Sequence, residues 1–294
     1  MALQSSGAIK ISEIKAELGS SSNSLRTLSA AAGFSTPDAM SEFYGYASYT
    51  NTSYYRNDGV NDYILYQNGS GAVTFGVTPV TVCFWVRQNS STNKNAQMIN
   101  LAPGLNKDYR IMLDYNISNN KLRFNHRSDA TNTMREYYLG NNFTATGVSG
   151  AWTLDNRGNV NNRGFTMITY SYDPGLPGLD GLRVWWNDRE LTSQAQVSGT
   201  RSSLQINNMR VGENIHTTAS AGNMNMDIDE IKMYNAAYGQ GEIDALYNGG
   251  TVVNNAQLGF GNLVSEISFD SGGAIDSSGY FNSPQVVGGQ ILNY

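Results

Sequence analysis

The feature that most constrains this chain is a change of hydrophobic period after its first 50 residues. From Gly7 to Tyr46, apolar residues recur at helical spacing between Gly or polar turns, and from Tyr54 onward they alternate at a period of two. The sequence therefore predicts three short helices followed by β-strands. Roughly 40 residues bury too little surface for a self-sufficient core without disulfides or metal. We therefore expect the helical segment to pack against the β-domain, against other copies of the chain or within a larger assembly.

The helical segment carries its own boundary signals. Ser12 is the predicted N-cap of the first helix, Gly19 follows its end, and Thr36 with Pro37 predicts the start of the third helix. Its apolar face packs either on the same chain's β-domain or with copies of itself or another protein, and we favour this assembly role. The predicted assembly residues are Ile11, Ile14, Leu18, Leu25, Leu28, Met40, Phe43 and Tyr44.

Three pieces of this segment resemble a module found at the N-terminus of many tailed-bacteriophage virion proteins, including fibre and appendage proteins. The pieces are 9–18, 25–28 and the closing residues Met40, Ser41, Phe43, Tyr44 and Gly45. The resemblance implies a virion component made in the cytoplasm of a bacterial host. Its implied partners are other virion proteins and further copies of itself. The resemblance indicates the assembly in which the protein is found, and it does not indicate a chemical activity.

Composition excludes several other classes of protein. The net charge of −5 and the lack of any run of Lys or Arg argue against nucleic-acid binding. The single cysteine, Cys83, lies in the apolar run 80–86, which predicts a buried thiol and no intrachain disulfide. We find no secretory signal pattern and no stretch long enough to span a bilayer, so we expect no membrane insertion.

The alternating pattern predicts many short strands separated by Gly- and Asn-containing turns such as Asn68-Gly69 and Asn187-Asp188. This arrangement is typical of an antiparallel β-sandwich. One short helix is predicted over 241–247. The predicted strands are 63–66, 72–75, 80–87, 96–101, 109–115, 121–126, 136–139, 165–172, 182–187, 209–211 and 228–234.

Several of these pieces, in the same order, resemble concanavalin A-like, laminin-G-type jelly rolls. They are 57–64, 80–86, 165–173, 182–191, 228–235 and 241–248. The resemblance implies a mainly β fold, an antiparallel β-sandwich jelly roll over 53–294 that follows a small α-helical module over 1–48. Asp188 stands where the family usually has Gly. The resemblance is specific for fold and weak for function, because this fold hosts lectins, glycosidases and scaffolds.

The C-terminal segment 262–294 resembles the segment that normally begins such a domain. Two arrangements are open. The segment either supplies a permuted first strand to its own sandwich or gives a strand to a neighbouring subunit. We favour the first arrangement, because the termini of sandwich domains often lie close together.

Carboxylates at a defined spacing would be needed for glycan hydrolysis in this fold, where glucan-cleaving members carry E-x-D-x-x-E on one strand. Glu242 and Asp244 begin this spacing, but Tyr247 stands third and the segment is predicted as helix. A similar start at 227–229 meets Lys232 at its third position. The chain also lacks the motifs of nucleophilic, zinc and phosphate-binding sites. We therefore predict no enzymatic activity and no required cofactor.

The laminin-G resemblance implies a candidate calcium site, because many such domains bind Ca²⁺ on the sandwich through loop carboxylates, amides and carbonyls. The positions that match the family's acidic residues are Asp58, Asp62, Asp229 and Asp276. The alternative for Asp58 and Asp62 is a turn in which the carboxylates bind their own backbone. The alternative for Asp229 is a structural hydrogen bond.

Glycan binding would use aromatic platforms beside amide-rich loops at 116–120 and 156–162. The candidate platforms are Trp152, Trp185, Tyr137 and Tyr138. Strand alternation places Trp185 and Trp186 on opposite faces, so one of them is expected in the core. The alternative for any single Trp is core packing.

These observations predict a non-enzymatic structural protein of a phage virion, as a fibre, an appendage or a capsid decoration. Its lectin-like jelly roll would bind host-surface glycans through weak sites that many copies turn into avidity. The second hypothesis is a purely structural decoration protein without a ligand. The third is a glycan-degrading enzyme.

Overall fold

In the computed structural model, an antiparallel β-sandwich follows a small helical module. The structure describes residues 3–4, 7–32, 37–44, 52–58, 60–69, 73–75, 77–88, 96–104, 110–116, 121–127, 134–139, 165–176, 181–190, 193–196, 204–212, 225–270, 273–281 and 284–293. Strands between 110 and 139 and over 193–196 are described by their backbone.

Short helices flank the sandwich strands in sequence. The α-helices are α1 (Ile11–Leu18), α2 (Leu25–Ala31), α3 (Gln240–Tyr247) and α4 (Asn255–Leu258), and two 3-10 helices span Met40–Phe43 and Asn248–Gly250. The strands are β1 (Ser53–Asp58), β2 (Tyr63–Tyr66), β3 (Thr74–Phe75), β4 (Val80–Gln88), β5 (Ala96–Ala102), β6 (Arg110–Asn116), β7 (Lys121–Arg127), β8 (Met134–Leu139), β9 (Thr166–Tyr172), β10 (Leu182–Trp186), β11 (Arg189–Glu190), β12 (Ser193–Gln196), β13 (Leu204–Gln205), β14 (Asn208–Val211), β15 (Asn225–Tyr234), β16 (Leu263–Ser268), β17 (Ile275–Asp276), β18 (Gln285–Val287) and β19 (Gln290–Asn293).

Two large sheets form the sandwich. Sheet A runs β11-β10-β9-β4-β15-β1-β19, with β16 also paired to β15 and β17 to β16, and sheet B runs β12-β8-β7-β6-β5-β14-β2-β18. Alternate residues of both sheets, such as Phe84 and Ile168 from sheet A and Ile99 and Met209 from sheet B, form the shared core. The predicted antiparallel sandwich with a small helical module is confirmed.

The predicted strands all coincide with observed ones, and most differ from them by one or two residues at an end. The sequence-based list omits β1, β11 to β13 and, as separate strands, β16 to β19. These strands are short or carry polar side chains on the outer face, so their alternation is weak. The helix predicted over 241–247 is α3, which begins at Gln240.

The start of α1 differs from the prediction. The N-cap is Lys10 and not Ser12, because the Glu13 carboxylate accepts the Lys10 backbone N–H at 2.8 Å and so fixes the N-cap two residues earlier than predicted. Gly19 ends the helix with a φ of 61°, as predicted, because this left-handed conformation is open to a residue without a side chain.

The third helix also begins later than predicted, at Met40 and not at Pro37. The Glu42 carboxylate accepts the Ala39 backbone N–H at 3.1 Å and the Ser29 hydroxyl at 3.2 Å, which anchors the start of the helix. Thr36, its predicted N-cap, and most of the linker at 47–52 lie outside the described residues.

The predicted assembly residues of the module mostly pack against one another. Ile14, Leu28 and Phe43 are fully buried, together with Ala32. Around them lie the partly buried side chains of Ile11, Leu18, Leu25 and Met40. Tyr44 remains 43% exposed, and its hydroxyl donates to the Gly7 carbonyl at 2.5 Å. The module therefore has a small core of its own.

The outer face of sheet A is covered over much of its area by the segment that contains α3 and α4. Strand residues such as Cys83, Trp85 and Met167 form a second core with Ile243 and Tyr247 of α3. The rings of Trp85 and Tyr247 stack with centroids 5.9 Å apart. Among the described residues, no helix is both long enough and apolar enough to cross a membrane.

The C-terminal segment pairs with strands of its own chain. β16 and β1 lie end to end beside β15, and the Asp270 carboxylate joins them by accepting the backbone N–H groups of Thr52 and Ser53 at 2.6 and 3.0 Å. β18 then extends sheet B beside β2, and β19 extends sheet A beside β1. The segment therefore supplies an edge strand to both sheets.

Candidate functional site on the outer face of sheet A

The predicted aromatic platforms are not brought together among the described side chains. Trp185 is fully buried beneath α3, and its indole N–H donates to the Gln240 side chain at 3.0 Å. Trp186 lies in the core between the sheets, so the predicted alternation holds. Tyr137 and Tyr138 lie in β8, which is described by its backbone. Trp152 and the loop at 156–162 lie outside the described residues, as does most of the loop at 116–120.

Asp58 is the last residue of β1 and Asp62 lies just before β2, and both carboxylates bond to the backbone of the turn between them. The Asp62 carboxylate accepts the Asp58 backbone N–H at 2.9 Å, and the Asp58 carboxylate accepts the Val60 N–H at 2.8 Å. This is the predicted alternative to calcium binding. Asp58 is exposed and Asp62 is buried.

Asp229 and Asp276 lie elsewhere. Asp229 is fully buried. Asp58 pairs with Asn225 on β15, and Asp229 lies four residues further along that strand, about 13 Å from Asn225. The Asp276 carboxylate accepts the backbone N–H groups of Glu266, Ser278 and Phe281 at 2.9 to 3.1 Å, which gives it a structural role. Within the described ranges, no three Asp, Glu, His or Cys side chains are grouped closely enough to hold a metal ion.

Glu242 and Asp244, the carboxylates considered for hydrolysis, lie on the exposed face of α3. Glu242 accepts the Gly239 backbone N–H at 3.0 Å, and Asp244 accepts the Gln240 side-chain amide at 2.6 Å. Both side chains therefore help to hold the first turn of α3 on the surface, as the sequence predicted for this segment.

A polar row that the sequence analysis did not identify crosses the end of sheet A. The strand register places Gln290, Arg56, Asp227 and Arg87 side by side on β19, β1, β15 and β4, and Phe165 lies just before the paired part of β9. We call these five residues the arginine row. It lies on the same outer face as Trp85 and Trp185.

Asp227 is the centre of the arginine row. Its side chain is fully buried, whereas 42% of the Arg56 side chain and 25% of the Arg87 side chain are exposed. Arg56 donates to Asp227 through Nε at 2.8 Å and Nη2 at 3.1 Å, and Arg87 donates through Nε at 3.0 Å and Nη2 at 2.5 Å. The hydrogen bond to Asp227 raises the pKa of Arg56, so its guanidinium stays charged.

Aromatic rings support both guanidinium groups from below. Arg87 lies 4.6 Å from the centroid of Phe165 and 5.0 Å from that of Tyr54, and Arg56 lies 5.6 Å from the centroid of Tyr54. The Tyr54 hydroxyl also accepts Arg56 Nη2 at 3.2 Å. Because the rings are buried, they orient the cations and offer little surface of their own to a ligand.

A buried ion pair lies further along the same face. Lys232 Nζ lies 2.7 Å from Glu230 and 3.9 Å from Glu266, and both Lys232 and Glu230 are almost fully buried. Burial by itself lowers the pKa of Lys232, but attraction to Glu230 and then Glu266 outweighs burial and leaves that pKa above its ordinary value. Glu230 adopts a φ of 46° within the irregular register between Asp229 and Lys232.

Cys83 is buried as predicted, and its thiol is expected to be unreactive in the folded protein. Burial raises the pKa of the Cys83 thiol to about 12, so only about one thiol in 10,000 is ionised near pH 8. We expect negligible reaction with a disulfide reagent such as DTNB in native buffer and one equivalent of reaction in urea. Rapid modification of the native protein would show that the outer cover of sheet A opens readily.

Comparison with known proteins identifies the fold and no family. No protein-family model matches this chain, and no curated protein matches it in sequence. A Bacteroides ovatus crystal structure described as a "putative carbohydrate binding protein" matches 84% of the chain with a TM-score of 0.51 and 10% identity. The chain spans 61% of that protein's length.

Two further solved structures have lower similarity. A heptameric SAP-like pentraxin from Limulus polyphemus matches 82% of this chain and 96% of its own, with a TM-score of 0.48 and 11% identity. The mouse laminin α1 chain domains LG4-5 match 66% of this chain and 46% of their own, with a TM-score of 0.41 and 13% identity. At these identities the similarities concern fold, and the observed sheets are those of a jelly-roll sandwich.

Proposed function

We propose that this chain is a non-enzymatic attachment protein of a phage virion, in which the helical module mediates assembly and the jelly roll binds surface glycans. The observation that carries the proposal is the division of the chain into a helical module with four buried core residues and a sandwich with a separate core. A module with so small a core gains most by binding a partner. The virion setting rests on the resemblance of 9–18, 25–28 and 40–45 to phage modules.

The glycan part of the proposal is supported by the fold and by the surface of sheet A. The Bacteroides ovatus protein of similar fold is described as carbohydrate-binding. Arg56 and Gln290 offer exposed hydrogen-bond donors on the outer face of sheet A, as sugar recognition requires. A calcium ion held by Asp58 and Asp62 would be an addition to this function and not a requirement for it.

Removal of residues 1–46 is expected to convert an oligomer into a monomer. The reason is that the deletion removes the whole module while leaving every strand of both sheets in place. Mass photometry of the full chain and the truncated chain would measure this change, and circular dichroism would check that the sandwich remains folded. A full-length Leu28→Ala variant, which opens the module core, should weaken the oligomer in the same direction.

An oligomer of unchanged mass after truncation would contradict the assembly role of the module. A monomer in both forms would remove self-assembly, and co-sedimentation with purified virions would then test docking on another virion protein. A glycan array probed with the full chain tests the second part of the proposal. Failure to bind any glycan would favour the purely structural decoration protein.

A further inference from the structure

We propose that the arginine row binds the anionic group of an acidic sugar, with Arg56 as the residue that contacts it. This inference rests on the proposed glycan-binding function and names its ligand class. The anionic group is a carboxylate or a sulfate, both of which match the planar donors of a guanidinium.

The first step of the argument is that Arg56 is held in place before any ligand arrives. Its Nε and Nη2 are fixed by Asp227, and Nη2 also reaches the Tyr54 hydroxyl. A side chain that is already ordered loses little conformational entropy on binding.

The second step is that Arg56 keeps donors for a ligand. Nη1 donates to no acceptor in the described part of the chain, and 42% of the side chain is exposed. Arg56 shares the Asp227 carboxylate with Arg87, so Asp227 does not belong to Arg56 alone.

The third step concerns what surrounds Arg56. Gln290 is exposed at the neighbouring position on β19 and can bond to sugar hydroxyls. Tyr54 and Phe165 are buried beneath the guanidinium groups, so neither ring offers an exposed apolar platform. A cation beside an amide, with its two supporting rings buried, suits a charged and hydroxylated ligand better than an apolar one.

The same face of sheet A provides a matched control. Arg183 has a side chain that is 37% exposed, is paired with Glu190, and lies 4.7 Å from the centroid of Trp185. It therefore shares the exposure, the ion pair and the aromatic support of Arg56. It differs in having a carboxylate of its own.

The test uses the full chain with Arg56→Gln, Arg56→Lys and Arg183→Gln, after circular dichroism has confirmed that each is folded. Isothermal titration calorimetry would measure binding of tetragalacturonate, its fully methyl-esterified form and a sulfated galactan oligosaccharide at two salt concentrations. The ester removes the charge and keeps the sugar ring, and the sulfated arm distinguishes the two anionic groups.

We expect Arg56→Gln to weaken binding of the charged sugars by about tenfold or more, because a charge-assisted hydrogen bond is lost. Arg56→Lys should recover part of the loss, Arg183→Gln should stay within about twofold of the original affinity, and added salt should weaken binding.

Equal affinity for tetragalacturonate and its ester, or equal effects of Arg56→Gln and Arg183→Gln, would overturn the inference. If neutral glycans bind and charged ones gain nothing, only this inference fails. If no sugar binds in any arm, the proposed glycan-binding function fails with it.

Discussion

Replacing Lys232 by Met is expected to lower the free energy of unfolding by about 3–5 kcal/mol, since it leaves a buried carboxylate without its cation. Lys232 and Glu230 are almost fully buried, and their charged atoms lie 2.7 Å apart. Met fills a similar volume, so the loss measures the unpaired charge and not a cavity. Urea unfolding, followed by circular dichroism, would give the difference in free energy.

The double variant Glu230→Gln with Lys232→Met provides the control. It removes both charges, so we expect it to be more stable than Lys232→Met alone, although Glu266 remains nearby. A double variant that loses as much stability as the sum of the two single variants would contradict the ion-pair explanation.

The same pair predicts a dependence on alkaline pH. Because the pKa of Lys232 is higher in the folded protein than its ordinary value of 10.5, its contribution is fully present below about pH 10.5 and is lost as pH rises towards the folded value. The buried tyrosines also have raised pKa values, so they too lower the stability of the folded protein at high pH. The contribution of Lys232 is therefore measured as the difference in unfolding free energy between the wild type and Lys232→Met. The stability gap between the wild type and Lys232→Met should narrow above this pH, and a constant gap would contradict the prediction.

This ion pair also shows where sequence reasoning about the fold stops. Strands such as 80–87 and 165–172 match the prediction almost residue for residue, because each is a run of apolar and β-branched residues, which suits a strand buried on both faces. Lys232 and Glu230 carry charges that normally indicate an exposed position. Their burial follows from the irregular register after Asp229 and from the cover that α3 and α4 lay over sheet A. Neither is encoded in the local pattern.

The arginine row could not be predicted for a related reason. Arg56 and Arg87 are separated from Asp227 by 171 and 140 residues, and the order of strands in sheet A brings them into one row. Trp185, a candidate platform for sugar stacking, is instead buried in the core beneath α3. An aromatic residue suits either position, so the sequence alone does not separate them. A hydrophobic pattern can assign residues to a face of a sheet, but it does not indicate which part of that face a later helix covers.

Replacing Gly289 by Ala is expected to destabilise the protein by about 2–5 kcal/mol, because it combines backbone strain with a steric overlap. Gly289 has a φ of 65°, and a Cβ there would overlap the ring and hydroxyl of Tyr55. Tyr55 is fully buried and stacks on Phe269 with ring centroids 5.9 Å apart, so its ring has little room to move. The preceding Gly288 is equally confined, because Asp62 fills the space of its missing side chain.

Gly259→Ala is the matched control for this prediction. Gly259 has a φ of 66° at the end of α4, and nothing lies within 4 Å of a Cβ placed there. Gly259→Ala should therefore show the backbone strain alone, about 1–2 kcal/mol, and the difference between the two variants measures the overlap with Tyr55. Equal losses in thermal or urea unfolding would mean that Tyr55 yields to the new methyl group.

The consequence of Gly289→Ala should also be local, because Gly288 and Gly289 join β18 in sheet B to β19 in sheet A. Displacing this turn releases β19 first and exposes the backbone edge of β1, which carries Arg56. Hydrogen exchange should therefore accelerate in 290–293 and in β1 before it does so in β4 or β9. Because Gln290 and Arg56 are neighbours across this pairing, the variant should also weaken binding of acidic sugars. Unchanged exchange in β1 would show that the C-terminal strand does not protect that edge.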